Sequence, residues 1–209
     1  MNVIYRDKLE RLSEKKTGYL WVKRFFDFFG ALLFLIPSAP IILIFAVLVK
    51  LDTPGPAFYT QERVGLMGKK IFVTKIRSMY DGIEKKSGAM WATKNDDRVT
   101  KIGRFMRKTR IDELPQILSV LKGDMSFIGP RPERPMFTKE FSEKYSGFER
   151  RLEIKPGLSG WAQVTGGYDM RPDEKMVADL FYIQKVSLLF DLKIILMTLR
   201  VVVTGDGAR

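Results

Sequence analysis

Apolar residues run almost unbroken over positions 25–49, relieved only by Asp27, Ser38 and two prolines, Pro37 and Pro40. About 20 apolar residues suffice to cross a hydrocarbon core, and a straight helix of this length would reach about 37 Å. The prolines change that picture. Each removes a backbone donor and crowds the preceding turn, which predicts a bend between two halves of about 12 residues, each roughly one leaflet long. A kinked spanning helix and a re-entrant helix-break-helix both satisfy these residues. Lys23 and Arg24 precede the run and Lys50 follows it, so flanking charge sets no orientation. Trp21 with Lys23 and Arg24 reads as an interfacial aromatic with snorkelling cations, after a mixed, charged leader over 1–20.

Beyond the apolar run, Thr53-Pro54-Gly55-Pro56 is a turn that cannot be helical. Residues 57–60 and 71–76 read as two short strands of a hairpin around Gly65 and Gly68, and 81–98 as a polar loop. Val99, Ile102, Phe105 and Met106 recur at helical spacing among Lys101, Arg104, Arg107 and Lys108, a basic amphipathic helix suited to an anionic lipid surface. A second helix over 113–121 ends at Gly123, and Gly129-Pro130-Arg131-Pro132 forms a stiff extended loop. The loop 155–160 precedes an expected strand over 161–164. A helix over 173–184 and an apolar segment over 188–203, either buried or half-sunk in lipid, close the chain.

Composition narrows the chemistry. With 209 residues the chain has the length of one domain with a real core, and its net charge of +12 favours anionic partners. It contains no cysteine and no histidine, which excludes disulfides, thiolate catalysis, the usual zinc sites and a Ser-His-Asp triad. Acid–base work falls to carboxylates and lysine. The charged leader and the late, long apolar run do not fit a cleavable signal peptide.

The pair Asp112-Glu113, beside Arg107, Lys108 and Arg110, is the main candidate for that work. Asp112 fits an ordinary helix N-cap, with Glu113 and Pro115 suited to the first turn. A helix start ringed by arginines is equally a phosphate site, and an ionised carboxylate there can attack phosphorus or hold a divalent cation. Arg131, fixed between Pro130 and Pro132, is either a surface arginine or a pre-oriented clamp on a diphosphate. Lys75 and Arg77 stand at the end of an apolar strand. Asp179 sits in the otherwise apolar stretch Val177-Ala178-Asp179-Leu180-Phe181-Tyr182, as an ion-paired acid or a metal or nucleotide ligand.

Taken in order, Thr60-Gln61-Glu62-Arg63-Val64-Gly65, Lys75-Ile76-Arg77-Ser78-Met79, Ile111-Asp112-Glu113-Leu114-Pro115-Gln116, the run from Leu121-Lys122-Gly123-Asp124 to Gly129-Pro130-Arg131-Pro132, and Lys155-Pro156-Gly157-Leu158-Ser159-Gly160-Trp161-Ala162-Gln163-Val164 resemble the bacterial sugar transferases. These are the monotopic polyprenol-phosphate phosphoglycosyl transferases, and the chain is similar to their minimal catalytic form. The resemblance implies transfer of a sugar 1-phosphate from a UDP-sugar to undecaprenyl phosphate with release of UMP. It implies Asp112 as nucleophile and metal-binding residue with Mg2+, Glu113 as the partner carboxylate, and Lys75, Arg77, Arg131 and Asp179 as substrate-binding residues. It also implies an α+β fold with a small antiparallel sheet and several helices, a re-entrant membrane helix-break-helix, and amphipathic helices at the membrane surface. The expected division is a leader over 1–20, a re-entrant helix over 21–50 and a catalytic domain over 51–209 on the cytoplasmic face of the inner membrane. Membrane lipid is an expected partner, nucleic acid is not, and self-association stays open. The chain departs from the family in reading Ala39-Pro40 at the membrane break, and in carrying Gly167 where some relatives have an arginine after Gly166, with Arg171 a few residues on. A basic helix-turn-helix over 98–121 is the rival reading, weakened by the two acids that open its second helix. An inactive membrane scaffold is a third, opposed by the intact carboxylate pair.

Overall fold

The computed structural model describes residues 14–83, 96–167 and 170–204. Most of the expected polar loop over 81–98, and the leader as far as residue 13, lie outside them. The first element, α1 (Glu14–Asp52), runs through both prolines as one helix of 39 residues, so the last residues of the expected leader are helical. Lacking an N–H, Pro37 and Pro40 cannot donate to the carbonyls of Leu33 and Ile36. Ser38 is buried and its Oγ donates to the Phe34 carbonyl at 2.7 Å, a back-bond of the kind that accompanies helix bending.

One face of α1 lies against the rest of the protein from Tyr19 to Val49. Lys23, Asp27, Ala31, Ser38, Ala46 and Val49 are buried on that face, while Phe25, Leu33, Ile36, Leu43 and Leu51 stand exposed on the other, Leu33 at 72% and Leu51 at 78%. Lys23 and Arg24 do not snorkel as expected. Lys23 pairs with Asp191 at 2.5 Å, joined by the hydroxyls of Tyr19 and Tyr182, each 2.7 Å from the same carboxylate. Arg24 donates to the carbonyls of Val120 and Leu121 at a helix end, and Asp27 accepts from the Phe127 amide at 3.0 Å. A neighbouring polar group of the right kind outcompetes the interface for a cation that can reach it.

The expected hairpin is present as β1 (Phe58–Val64) and β2 (Lys70–Ile76), antiparallel with Phe58 opposite Ile76 and Val64 opposite Lys70. Strand alternation turns Ile71 and Val73 into the core, and the same period carries Lys75 inward rather than to a solvated edge. Then comes α2 (Lys101–Thr109), capped by the Thr100 hydroxyl, and it stops at Arg110, which takes the left-handed conformation at φ 60°. The expected helix over 113–121 arrives as two pieces, a 3-10 helix Ile111–Gln116 containing Pro115 and then α3 (Ile117–Lys122). Gly123, at φ 84°, ends it as its position required.

Next follow β3 (Ser126–Ile128), α4 (Pro135–Lys144), a 3-10 helix Phe148–Glu153, and β4 (Gly157–Ser159), which pairs parallel with β3. The strand expected over 161–164 is instead the short helix α5 (Trp161–Thr165). Helical spacing lets both Trp161 and Val164 reach the cluster of Ile128, Ile154, Tyr182 and Ile194, a tertiary gain that overrides their strand preference. Helices α6 (Pro172–Lys185) and α7 (Leu188–Thr204) complete the chain where helical and apolar segments were expected. The fold is α+β with a small antiparallel sheet. Among the described residues the core has three patches, and α1 contributes to each: Ala31 packs with Ile71, Val73, Ile117, Val120 and Met125, Val49 with Ile76 and Met106, and Tyr19 and Leu20 against the cluster of Ile128, Ile154 and Tyr182.

Candidate active site

A cavity of about 600 Å³ opens between the hairpin, the end of α2, the Arg131 loop, and α5 with α6. That size is ample for a nucleotide sugar. Among the described residues ten basic and five acidic side chains line it, including Lys75, Arg77, Asp112, Glu113, Arg131 and Asp179. All six residues singled out in the sequence therefore border one space, from segments as much as 104 positions apart in the chain.

The two adjacent carboxylates differ sharply in their surroundings. Glu113 is saturated with cations: Lys75 at 2.5 Å, a two-pronged contact from the Arg131 guanidinium, and Arg110 at 3.9 Å. Burial alone would push its carboxyl up, but the charges of Arg131 and Lys75 outweigh it and hold Glu113 well below the usual carboxylate range. Burial lowers Lys75, against the charge of Glu113. Asp112 is 5% exposed, and among the described residues no hydrogen bond or ion pair engages its carboxyl. Burial pushes it up to about 6, opposed by Lys75 and reinforced by the like charge of Glu113. Asp112 does not cap a helix. Arg110 holds the N-terminal position of the 3-10 helix and no side chain caps it.

Arg131 thus meets Glu113, and its own carbonyl accepts from Arg151 at 3.0 Å. Arg151 in turn binds Asp179 at 2.7 Å, so Asp179 anchors the chain of groups that sets Arg131, while its Oδ1 has no partner. Arg77 borders the cavity with its guanidinium turned on the carbonyls of Thr53 (2.8 Å), Val49 and Pro54, so it caps the end of α1. Arg171 does not line the cavity. It is bound to Asp173 and Glu174 at the start of α6, whereas Gly167 does face the space. Arg151 and Lys175 were not picked out in the sequence as site residues, and Arg107 entered only as one of the cations flanking the carboxylate pair. Arg151 and Lys175 sit in charged helical stretches whose pattern matches any solvated surface, and only tertiary contacts distinguish them.

The model of the bacterial sugar transferase family matches residues 18–205, nearly the whole chain. The chain is 57% identical over 141 residues to a putative undecaprenyl-phosphate N-acetylgalactosaminyl 1-phosphate transferase of Bacillus subtilis, covering 68% of this chain and 78% of that one. It is 41% identical to a UDP-N-acetylgalactosamine-undecaprenyl-phosphate N-acetylgalactosaminephosphotransferase of Aeromonas hydrophila, over 98% of this chain and 50% of that protein. A UDP-glucose:undecaprenyl-phosphate glucose-1-phosphate transferase of Escherichia coli is 40% identical over 85% of this chain, but the match spans only 39% of the relative. With a family model covering nearly all of its length and relatives at 40–57% identity, the chain belongs to the bacterial sugar transferase family.

Proposed function

We propose that this protein transfers a sugar 1-phosphate from a UDP-sugar to undecaprenyl phosphate, with Asp112 as the nucleophile. The observation that carries the reading is the division of labour in the carboxylate pair: Glu113 is neutralised by three cations, while Asp112 is buried, faces the cavity and has no hydrogen-bond or ion-pair partner among the described residues. An acid kept without partners in a low-dielectric site is costly unless it acts.

In the first step an Asp112 carboxylate oxygen attacks the sugar-bearing phosphorus. The bond from that phosphorus to the bridging oxygen breaks, and UMP leaves with the oxygen and its electron pair. In the second step an oxygen of undecaprenyl phosphate attacks the same phosphorus, the bond to Asp112 breaks, and the carboxylate is regained beside a lipid-linked diphosphosugar. Two displacements let a soluble donor and a membrane acceptor use one site in turn. Lys75, Arg110 and Arg131 supply fixed positive charge where the phosphates gather charge, and Glu113 keeps those cations in place.

A magnesium ion fits the donor set. Asp112 would hold such an ion through its carboxylate, and among the described residues no cluster of three His, Cys, Asp or Glu side chains accompanies it. When bound, such an ion neutralises phosphate charge.

The proposal extends to the membrane, where α1 supports it. The helix would be about 58 Å long if straight, and the same polar body binds it before and after the prolines, through Arg24 and Asp27 on one side and Arg77 on the other. A body carrying this many charges is costly to place in hydrocarbon, which supports the reading that α1 enters and leaves the bilayer by one face; the catalytic domain on the cytoplasmic side is part of the same proposal. A panel of UDP-sugars, beginning with UDP-N-acetylgalactosamine and UDP-glucose, tests the function: each is incubated with undecaprenyl phosphate in lipid while UMP is measured. Release of UMP from at least one donor is expected, and none from any donor with folded protein would overturn the reading.

A further inference from the structure

The cavity carries more cations than one diphosphate needs, and most of them already have partners: Arg98 on Asp96, Arg151 on Asp179, and Lys75, Arg110 and Arg131 on Glu113. Arg107 is different. Its Nε donates to the Ser78 hydroxyl at 2.9 Å, and among the described residues no carboxylate pairs with its guanidinium. Its placement is built into α2. Gly103, one turn earlier on the same face, lies so close to the Ser78 carbonyl that a Cβ there would be 2.0 Å from the oxygen. That contact lays α2 across the exit of β2 and puts Arg107 on the cavity wall. Lys75 and Arg110 act on both carboxylates, while the charge of Arg107 bears on Asp112 and that of Arg131 on Glu113.

The opposite face of the same helix carries apolar surface. Two residues before it, Phe105 stacks on Phe45 of α1 at 5.9 Å between ring centres. Phe105 remains 54% exposed, beside the exposed Ile44, Val47, Leu48 and Leu51 of the second half of α1. One short helix therefore carries both an apolar surface and, beside the nucleophile, a guanidinium that no carboxylate pairs among the described residues. A phosphate monoester on a long hydrocarbon chain has the two matching parts, and an arginine fork suits its oxygens.

We propose that Arg107 is the docking group for the phosphate of the lipid acceptor, with the isoprenoid chain laid over Phe105 and the outer face of α1. On this proposal, which rests on the function argued above, the donor's diphosphate is held by Lys75 and Arg131 and the acceptor approaches from the α2 side.

Single-turnover measurements on the full chain in nanodiscs separate the two ideas. Covalent labelling of wild type by a UDP-sugar without acceptor reports on the function. Discharge of that adduct by undecaprenyl phosphate, or by soluble geranyl phosphate, reports on the docking. Arg107→Gln should slow discharge by both acceptors about ten- to a hundredfold more than it slows labelling, as loss of a charge-assisted bond would. Arg107→Lys should recover part of that loss. Phe105→Ser should raise the KM for undecaprenyl phosphate and leave geranyl phosphate little affected. Equal slowing of labelling and discharge by Arg107→Gln, or a rise confined to the donor KM, would overturn the docking role even with a wild type that labels normally. Equal effects of Phe105→Ser on the long and short acceptors would remove the role of the apolar surface.

Discussion

Asp112→Asn separates a carboxylate kept for chemistry from one kept for structure. The native chain holds the Asp112 proton more tightly than the unfolded chain, because burial lifts its pKa from 3.8 to about 6. Through that window the folded state binds more protons, so stability falls as pH rises, and above it the whole penalty is carried. At 1.36 kcal/mol per unit, the penalty is about 3 kcal/mol at neutral pH. Asparagine has the same shape and no charge to bury. In metal-free buffer the variant should be about 2–3 kcal/mol more stable than wild type at pH 8, and only about 1 kcal/mol more stable at pH 4.5. For a chain of this length that is a rise in melting midpoint of about 5–10 °C at pH 8. Thermal melts at both pH values, run beside UMP release at pH 8, make the assay. The expected result is a more stable protein that does not turn over. A variant less stable than wild type, or a gap that does not widen with pH, would show that the ionised carboxylate serves the fold.

Glu113 should behave in the opposite way. Glu113→Gln strips Lys75 and Arg131 of their shared partner, so it should lose about 1–3 kcal/mol in thermal melts, a figure reduced for the partial exposure of the three groups, and be severely impaired in turnover. A stable, active variant would remove the cation-holding role. Excess EDTA should abolish turnover and added Mg2+ restore it, whereas full activity in EDTA would contradict the metal requirement. The chain has no native cysteine, so Gly18→Cys and Lys50→Cys can be labelled singly in oriented vesicles. Both should react from the same side, and labelling from opposite sides would restore an ordinary crossing helix.

The hairpin, α2, α6, α7 and the Gly123 stop were legible because each is set by local periodicity or a residue with special backbone freedom. The site was legible as a set of motifs rather than as geometry. Asp112 followed by Glu113 and Pro115 has the local pattern of a helix start, and only the folded chain shows that Arg110 takes that position and leaves the Asp112 carboxyl unpartnered. Lys75 reads as a strand-end cation until the register shows it sharing the inward face with Ile71 and Val73. Trp161 and Val164 misled because strand preference in aromatic and β-branched residues reflects burial against neighbours, which a helix also provided here. Segments such as α4 and the 3-10 helix Phe148–Glu153 carry charges on nearly every side, so no period announces them. Arg107 was visible as one basic residue among several, and what distinguishes it is that no carboxylate pairs with it among the described residues, a property of the tertiary structure.

The claim that everything else depends on is the bond between Asp112 and a phosphosugar. Intact-protein mass spectrometry of wild type incubated with a UDP-sugar that it turns over, Mg2+ and no lipid acceptor measures it directly. One sugar phosphate should be added to the chain, mapped by proteolysis to the peptide containing Asp112, absent in Asp112→Asn, and discharged when undecaprenyl phosphate is supplied. UMP release during turnover with no such adduct, or an adduct that survives Asp112→Asn, would contradict the account.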